Sequence, residues 1–324
     1  MNFIINWLKA IAIIMVVLDH AIIFGFEHCG YCDFLFLKKY IQYLHNPLFF
    51  FISGYLCHKQ DIYSFVYKKI YRILIPFLFF SLLKLLYSNF ITSNFLHFSS
   101  LSEQLFDAFV NGSLYWFAYA IFAATIFSMS FWIVNDENKR KILLFATIVI
   151  LLFLNNSRYA KMIPQYFQMQ KMIHILPFYL IGMISALFKL ENIKNRSTII
   201  SIFLGIWICF VLDIVSINNN YWLRFLYSVS SIVLVASLVK MCAKKNIIMT
   251  TIAKYTWQIM LLDSFYKTVL FFVVSKIFGI NMISILFIVT LDIVLSVSTC
   301  LVVEKIPYLN FLFGLKNTSS NVSD

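Results

Sequence analysis

The sequence predicts an all-α fold, a polytopic integral membrane helix bundle of about ten transmembrane helices with both termini in the cytoplasm. Hydrophobic residues make up 61% of the 324 residues, and Asp, Glu, Lys and Arg only 12%. A soluble domain averages about 45–50% apolar and about 25% charged residues. Apolar runs close to the ~20 residues that one membrane span needs recur along the chain. Soluble enzymes and disordered proteins are therefore excluded, and the net charge of +12 is assigned to membrane topology rather than to nucleic acid.

Each of the ten predicted helices is an apolar run bounded by polar or basic residues. The fifth run is short, and the segment 155–170 after it is interpreted as partly re-entrant. Residues 304–324 are predicted to form a short cytoplasmic tail that frays. The helices are predicted at residues 6–26, 40–57, 73–91, 114–134, 142–154, 172–188, 199–216, 225–239, 255–278 and 283–303.

The orientation follows from the basic residues, which concentrate in alternate loops and therefore mark one side of the membrane as cytoplasmic. The opposite loops are poorer in Lys and Arg, except for the segment 155–171, which carries three basic residues. That segment either faces an anionic ligand or meets lipid headgroups. The cytoplasmic loops are predicted at residues 58–72, 135–141, 189–196 and 240–254.

The first helix carries three polar residues in an apolar run, Lys9, Asp19 and His20. Inserting a charged side chain at the centre of the bilayer costs roughly 2.5–3.5 kcal/mol, so such a residue usually has a function or a partner. Lys9 and His20 are eleven residues apart, so they share nearly one face and lie about 16 Å apart along the axis. Lys9 is predicted near the cytoplasmic surface and His20 towards the outer one. The alternatives are a snorkelling lysine anchor and a histidine satisfied by helix packing.

The second helix opens with His45, which is predicted at a depth similar to that of His20. Histidines that lie mostly in the outer half of the membrane are suited to proton transfer on a substrate outside the cell. Ser53 and Gly54 in the same helix allow another helix to approach closely.

Lys69 and Arg72 lead into the third helix and, three residues apart, share a face. They are candidates to bind the phosphates of a cytoplasmic donor. It is an equally good interpretation that these two residues belong to the excess of Lys and Arg that cytoplasmic loops normally carry.

Three later residues are candidates on the outer, acceptor side: Trp116, His174 and Asp263. Trp116 belongs to an aromatic group that either forms an interfacial belt or lines a sugar site. Asp263 lies in an apolar run, as Asp213 and Asp292 do.

Cys29 and Cys32 form a C-x-x-C pair in a loop. A structural metal site needs about four ligands, and the chain has no second such pair. Loop cysteines or a local disulfide are favoured, and no metal is predicted.

Several motifs together resemble the membrane acyltransferase 3 family and, within it, the fucose 4-O-acetylase-like branch. The resemblance covers nearly the whole chain, to about residue 303, and the motifs occur in the family's order. At the position where many members have a histidine in the ninth helix, this chain has Asp263. The motifs are Lys9-x10-His20, HNPLFFFISGYL at 45–56, KKIYRILIPF at 68–77, LYWF at 114–117 and LPFYLIG at 176–182.

The resemblance implies a ten-helix enzyme of the cell membrane, with residues 1–303 as the acyltransferase domain. Members move an acyl group, usually acetyl from acetyl-CoA, onto a sugar hydroxyl of a cell-surface or exported glycan. Acetyl-CoA is then the donor substrate, a glycan or lipid-linked sugar the acceptor, and no further cofactor is implied. The family's basic–histidine pair falls on Lys9 and His20. We therefore expect His20 to act as general base or acyl carrier, assisted by Asp19 or His45, with Lys9, Lys69 and Arg72 binding the donor.

Two other functions compete with the enzyme. A transporter or flippase of a lipid-linked sugar would also have many helices and buried charges, but internal symmetry or paired broken helices are not found in the sequence. A non-catalytic scaffold of a glycan-synthesis complex would have no need of buried titratable groups. The oligomeric state is not predicted.

Overall fold

The computed structural model describes residues 2–30, 35–91, 101–188, 200, 204–205, 207–208 and 221–315. Within these residues every regular element is helical, as the sequence predicts. Six helical stretches are long and apolar enough to cross a membrane, which makes the chain a multi-pass membrane protein. These stretches are Phe3–His28, Tyr63–Tyr87, Leu101–Trp132, Tyr166–Leu187, Tyr221–Cys242 and Met282–Val303.

The α-helices are joined mostly by short turns. Two π-helical turns, Ile70–Leu74 and Asp107–Asn111, and two 3-10 helices, Arg158–Met162 and Tyr166–Gln168, lie between them. The α-helices are α1 (Asn2–Cys29), α2 (Leu35–Tyr55), α3 (Ile62–Lys69), α4 (Ile75–Ile91), α5 (Leu101–Phe106), α6 (Trp116–Trp132), α7 (Glu137–Asn156), α8 (Met169–Leu187), α9 (Tyr221–Cys242), α10 (Ile247–Lys254), α11 (Thr256–Phe278), α12 (Met282–Val303) and α13 (Pro307–Leu312).

The observed helices are generally longer than the apolar runs that predicted them, and α7 illustrates why. The Asp136 side chain accepts a hydrogen bond from the Lys139 amide at 2.9 Å, so this N-cap starts the helix at Glu137. The predicted start at residue 142 marked the first apolar residue instead of the cap. The predicted helix 199–216 lies mostly outside the described residues.

The chain forms two compact units, and the first comprises Met1–Leu56 and Phe178–Ser298. Helix α1 lies at its centre and packs against α2, α9, α10 and α11. Small residues on α1, among them Ala10, Ala12 and Ala21, are almost fully buried, which lets these neighbours come close.

Glycines bring α2 and α8 into backbone contact within the first unit. A Cβ added at Gly54 would lie 1.8 Å from the Tyr179 carbonyl oxygen, and one at Gly182 would lie 2.0 Å from the Phe51 carbonyl oxygen. Only residues without a side chain fit at these two positions. The close helix approach predicted at Gly54 is therefore confirmed.

The second unit comprises Cys57–Pro177 and Thr299–Asp324. Pro76 lacks an amide hydrogen and so leaves the helical turn before it without a hydrogen bond, which explains the π-helical turn between α3 and α4. The Tyr71 hydroxyl donates to the Leu315 carbonyl at 3.0 Å, and Phe313 packs edge-on against Phe80. The expectation that the tail frays is therefore wrong as far as Leu315, because this part packs its apolar side chains against α4.

Candidate active site

A hydrogen-bonded histidine and aspartate define the candidate site in the first unit. His20 Nδ1 lies 2.7 Å from Oδ2 of Asp263, which brings together two residues on α1 and α11. Asp263 is 1% exposed, whereas the His20 side chain is 38% exposed. A carboxylate only accepts hydrogen bonds, so Nδ1 donates and Nε2 keeps its lone pair. We find no protein partner for Nε2 among the described residues.

Lys267 completes this cluster from the next turn of α11. Its ammonium nitrogen lies 3.3 Å from the same Oδ2 of Asp263 and 5.9 Å from the centre of the Phe24 ring. Sequence reasoning missed Lys267, although its spacing from Asp263 is the i, i+4 spacing of a helical ion pair. A buried carboxylate needs charge compensation, and the ammonium group of Lys267 supplies it to Asp263.

Asp19 and His45, the two residues expected to assist His20, make their hydrogen bonds elsewhere. Oδ2 of Asp19 accepts a hydrogen bond from Gln42 Nε2 at 3.3 Å. His45 is 3% exposed, and its Nδ1 donates to the Ile41 carbonyl of its own helix at 2.8 Å. Asp263, expected on the acceptor side, is the residue that orients the His20 ring.

Lys9 lies on α1 three turns before His20, and it is partly buried. Near it, the Trp7 ring nitrogen donates to the Lys244 carbonyl at 2.9 Å, and Asn6 contacts Thr250 at 3.5 Å. The N-terminal end of α1 therefore lies beside the basic loop 243–246. This is the arrangement expected if both belong to the cytoplasmic side.

The other four predicted site residues belong to the second unit. Lys69 lies 5.3 Å above the Phe65 ring, and Arg72 is exposed in the π-helical turn. The Trp116 ring lies 5.3 Å from the Lys171 ammonium. His174 lies on α8 and is partly exposed.

The described residues contain no group of three or more His, Cys, Asp or Glu side chains that could hold a metal ion. Of the C-x-x-C pair, Cys32 and the side chain of Cys29 lie outside the described residues.

A family model described as an acyltransferase domain, the acyltransferase 3 model, matches residues 2–303. No curated protein and no solved structure matches the chain significantly.

Proposed function

We propose a reaction for this chain on the premise that it belongs to the acyltransferase 3 family, whose domain covers residues 2–303. The family makes the chain a membrane acyltransferase. We propose that it is an O-acetyltransferase of the cell membrane, related to the fucose 4-O-acetylase-like branch. It would move acetyl from cytoplasmic acetyl-CoA to a sugar hydroxyl of a cell-surface or exported glycan. The observation that carries this proposal is the contact between His20 and Asp263.

This contact suits general-base catalysis. Asp263 fixes the proton on Nδ1 and so leaves the Nε2 lone pair for the acceptor hydroxyl. Nε2 takes the hydroxyl proton while the oxygen attacks the thioester carbonyl carbon. The carbon–sulfur bond then breaks, and the leaving sulfur receives the proton from the imidazolium. The products are the sugar ester and free CoA thiol.

A two-step variant uses the same atoms. Nε2 first attacks the thioester carbonyl carbon, the carbon–sulfur bond breaks, and CoA leaves as the thiolate while the imidazole carries the acetyl group. The sugar hydroxyl then attacks the acetyl carbon, the carbon–nitrogen bond breaks, and the hydroxyl proton goes to the thiolate. Asp263 would stabilise the charged imidazole in both routes, so both need the same pair of residues.

Donor and acceptor would approach from opposite sides of the membrane. We assign Lys9, Lys69 and Arg72 to the phosphates of acetyl-CoA, since cations bind phosphate through charge-assisted hydrogen bonds. Trp116 and His174 are assigned to the acceptor sugar, because an aromatic face and an imidazole suit a polyhydroxyl ligand. Lipids complete the environment, and no metal or resident cofactor takes part in the proposed reaction.

The test is acetyl transfer by purified protein in detergent, with labelled acetyl-CoA and a membrane glycan fraction. His20→Ala should lower transfer about 10²- to 10⁴-fold, the range for a lost general base, while the protein stays folded in the membrane. His58→Ala, an exposed loop histidine, is the matched control and should retain activity. Full activity of His20→Ala would remove His20 from the mechanism. Transport of an intact lipid-linked sugar without acetylation would favour the flippase.

A further inference from the structure

The C-terminal segment, residues 306–315, packs against the π-helical turn that precedes α4. In that turn the Tyr71 hydroxyl donates to the Leu315 carbonyl at 3.0 Å. The Tyr71 ring also meets the Phe311 ring edge-on, with the ring centres 5.2 Å apart. The segment lies beyond residues 2–303, which match the acyltransferase domain, and it belongs to the same compact unit as the turn.

Gly314 brings the backbone of the C-terminal segment directly onto the π-helical turn. Its φ is +65°, a conformation that favours glycine. A Cβ added there would lie 2.7 Å from Pro76 Cγ and 3.1 Å from the Arg72 carbonyl oxygen. In a regular α-helix that carbonyl would accept from the amide of residue 76, but proline has no amide hydrogen. The segment therefore covers the place where the α-helical hydrogen bonds are interrupted.

The two cations assigned to the donor belong to the same turn. Lys69 is its N-cap residue and Arg72 its third residue, and the Ile75 amide donates to the Ile70 carbonyl. This i, i+5 bond makes the turn one residue longer than an α-helical turn, which changes how Lys69 and Arg72 are arranged around the helix axis. Because π-helical turns are rare in proteins, we attribute the stability of this one to Pro76 and to the contacts of the C-terminal segment.

We propose that the C-terminal segment is a positioning element of the donor site. By packing on the π-helical turn, it holds Lys69 and Arg72 in the arrangement that binds the phosphates of acetyl-CoA. The proposal rests on the donor assignment made under the function proposed above. Residues 306–315 include no charged side chain, so the segment brings no cation of its own to the phosphates and acts through the turn. Its effect therefore belongs to donor binding and not to the chemical step.

Gly314→Ala tests the packing of the segment on the turn, since the added Cβ would overlap the Pro76 ring. We expect the Kd for CoA and the KM for acetyl-CoA to rise at least about fivefold, the lower end of the range for overpacking. The kcat should stay within about twofold. Gly279→Ala is the matched control, because Gly279 has a similar φ of +67° and an added Cβ there meets nothing within 4 Å. Its Kd for CoA should equal that of the wild-type protein.

Tyr71→Phe tests the same contact with a smaller change. The variant removes the hydroxyl that donates to Leu315 and keeps the ring that packs against Phe311. We expect the Kd for CoA to rise about 2- to 10-fold, the range for one hydrogen bond. This variant decides the question if Gly314→Ala does not fold.

A protein that lacks both cations, Lys69→Gln with Arg72→Gln, separates positioning from a general loosening of the fold. Residues that act through one another are not additive, so Gly314→Ala should raise the Kd for CoA less than about twofold in this background. Titration of purified protein in detergent with CoA measures every Kd without any acetyl transfer.

Three results would each overturn the proposal: an undiminished effect of Gly314→Ala in the background without the two cations, an unchanged Kd in Tyr71→Phe, or a lower Kd in Gly314→Ala. The last result would mean that the segment obstructs the donor. A protein whose variants bind CoA as expected but which transfers no acetyl group would refute the proposed reaction alone. Failure of the wild-type protein to bind CoA would refute both.

Discussion

At the scale of single residues, the candidate site depends on one contact between distant parts of the chain. His20 and Asp263 are 243 positions apart, and each stands out in the sequence as a polar residue in an apolar run. Their pairing could not be predicted from the sequence, because no local pattern links two helices so far apart. Asp19, the immediate neighbour of His20, was the more obvious partner, but it bonds to Gln42 instead.

Asp263→Asn tests whether the carboxylate orients the His20 ring. The asparagine amide can present a donor to Nδ1 and so favour the wrong tautomer, with the proton on Nε2. In a histidine held by an aspartate this exchange lowers kcat by about 10⁴-fold, and we expect a loss of about 10³- to 10⁴-fold in acetyl transfer. Asp61 caps α3 by accepting a hydrogen bond from the Ser64 amide at 2.9 Å. Asp61→Asn is the matched control, because asparagine replaces aspartate well as an N-cap. A loss below tenfold would exclude an orienting role for Asp263.

Lys267→Met tests the charge balance of the cluster. Its side chain is 13% exposed and faces a carboxylate that is 1% exposed. Removing one partner of a buried ion pair costs about 3–5 kcal/mol, so the unfolding temperature in detergent should fall clearly. The double variant Asp263→Asn, Lys267→Met should be more stable than Lys267→Met alone, because no unpaired charge remains. If both variants unfold at the same temperature, Lys267 does not compensate the charge of Asp263.

At the scale of elements, hydropathy and capping govern the helices, while glycines govern how closely two of them pack. Gly54 lies in a motif that predicts close approach, but the sequence does not name the partner. The structure identifies the partner as α8, where Gly182 lies equally close to the Phe51 carbonyl of α2. The start of α7 was predicted late because a polar first turn, capped by Asp136, precedes the apolar run. Helix α10, which Asn246 caps, was not predicted, because its residues were assigned to the loop 240–254.

Gly54→Ala should destabilise the protein through this contact. Its added Cβ would overlap the Tyr179 carbonyl oxygen at 1.8 Å, and neither backbone can move without separating α2 from α8. Overpacking of this kind costs about 1–3 kcal/mol. Gly25→Ala is the control, since its Cβ would meet side-chain atoms no closer than 3.5 Å, and alanine gains about 1 kcal/mol over glycine inside a helix. Thermal unfolding of the two variants in detergent should therefore shift in opposite directions, and equal shifts would refute the packing argument.

At the scale of the whole molecule, composition was sufficient to predict an all-helical membrane protein, because helix formation and membrane insertion depend on local apolar runs. The division into two units was not predicted. It depends on long-range packing that brings residues 178–298 back to α1 and α2. Two of the unit boundaries, 177/178 and 298/299, fall inside apolar runs. The number of spans in the full chain and the side on which each terminus lies remain predictions.

Helix α7 offers a direct test of the predicted topology. Its 20 residues correspond to about 30 Å, the thickness of the hydrocarbon core, and its basic first turn is predicted to be cytoplasmic. At that end Lys59 donates to the Asn135 side chain at 3.3 Å, so two predicted cytoplasmic loops of the second unit meet there. Asn138 and Tyr159 are exposed near the two ends of α7, and each can be replaced by cysteine.

A membrane-impermeant thiol reagent should label Tyr159→Cys in intact cells and Asn138→Cys only after permeabilisation. The expected asymmetry follows from the positive charge at the start of α7, which retains that end on the cytoplasmic side. Labelling of the unsubstituted protein gives the background from its native cysteines. Equal labelling of both variants in intact cells would show that α7 does not cross the membrane. The reverse pattern would show that the second unit has the opposite orientation in the membrane. Lys69 and Arg72 would then lie outside, away from any acetyl-CoA in the cytoplasm.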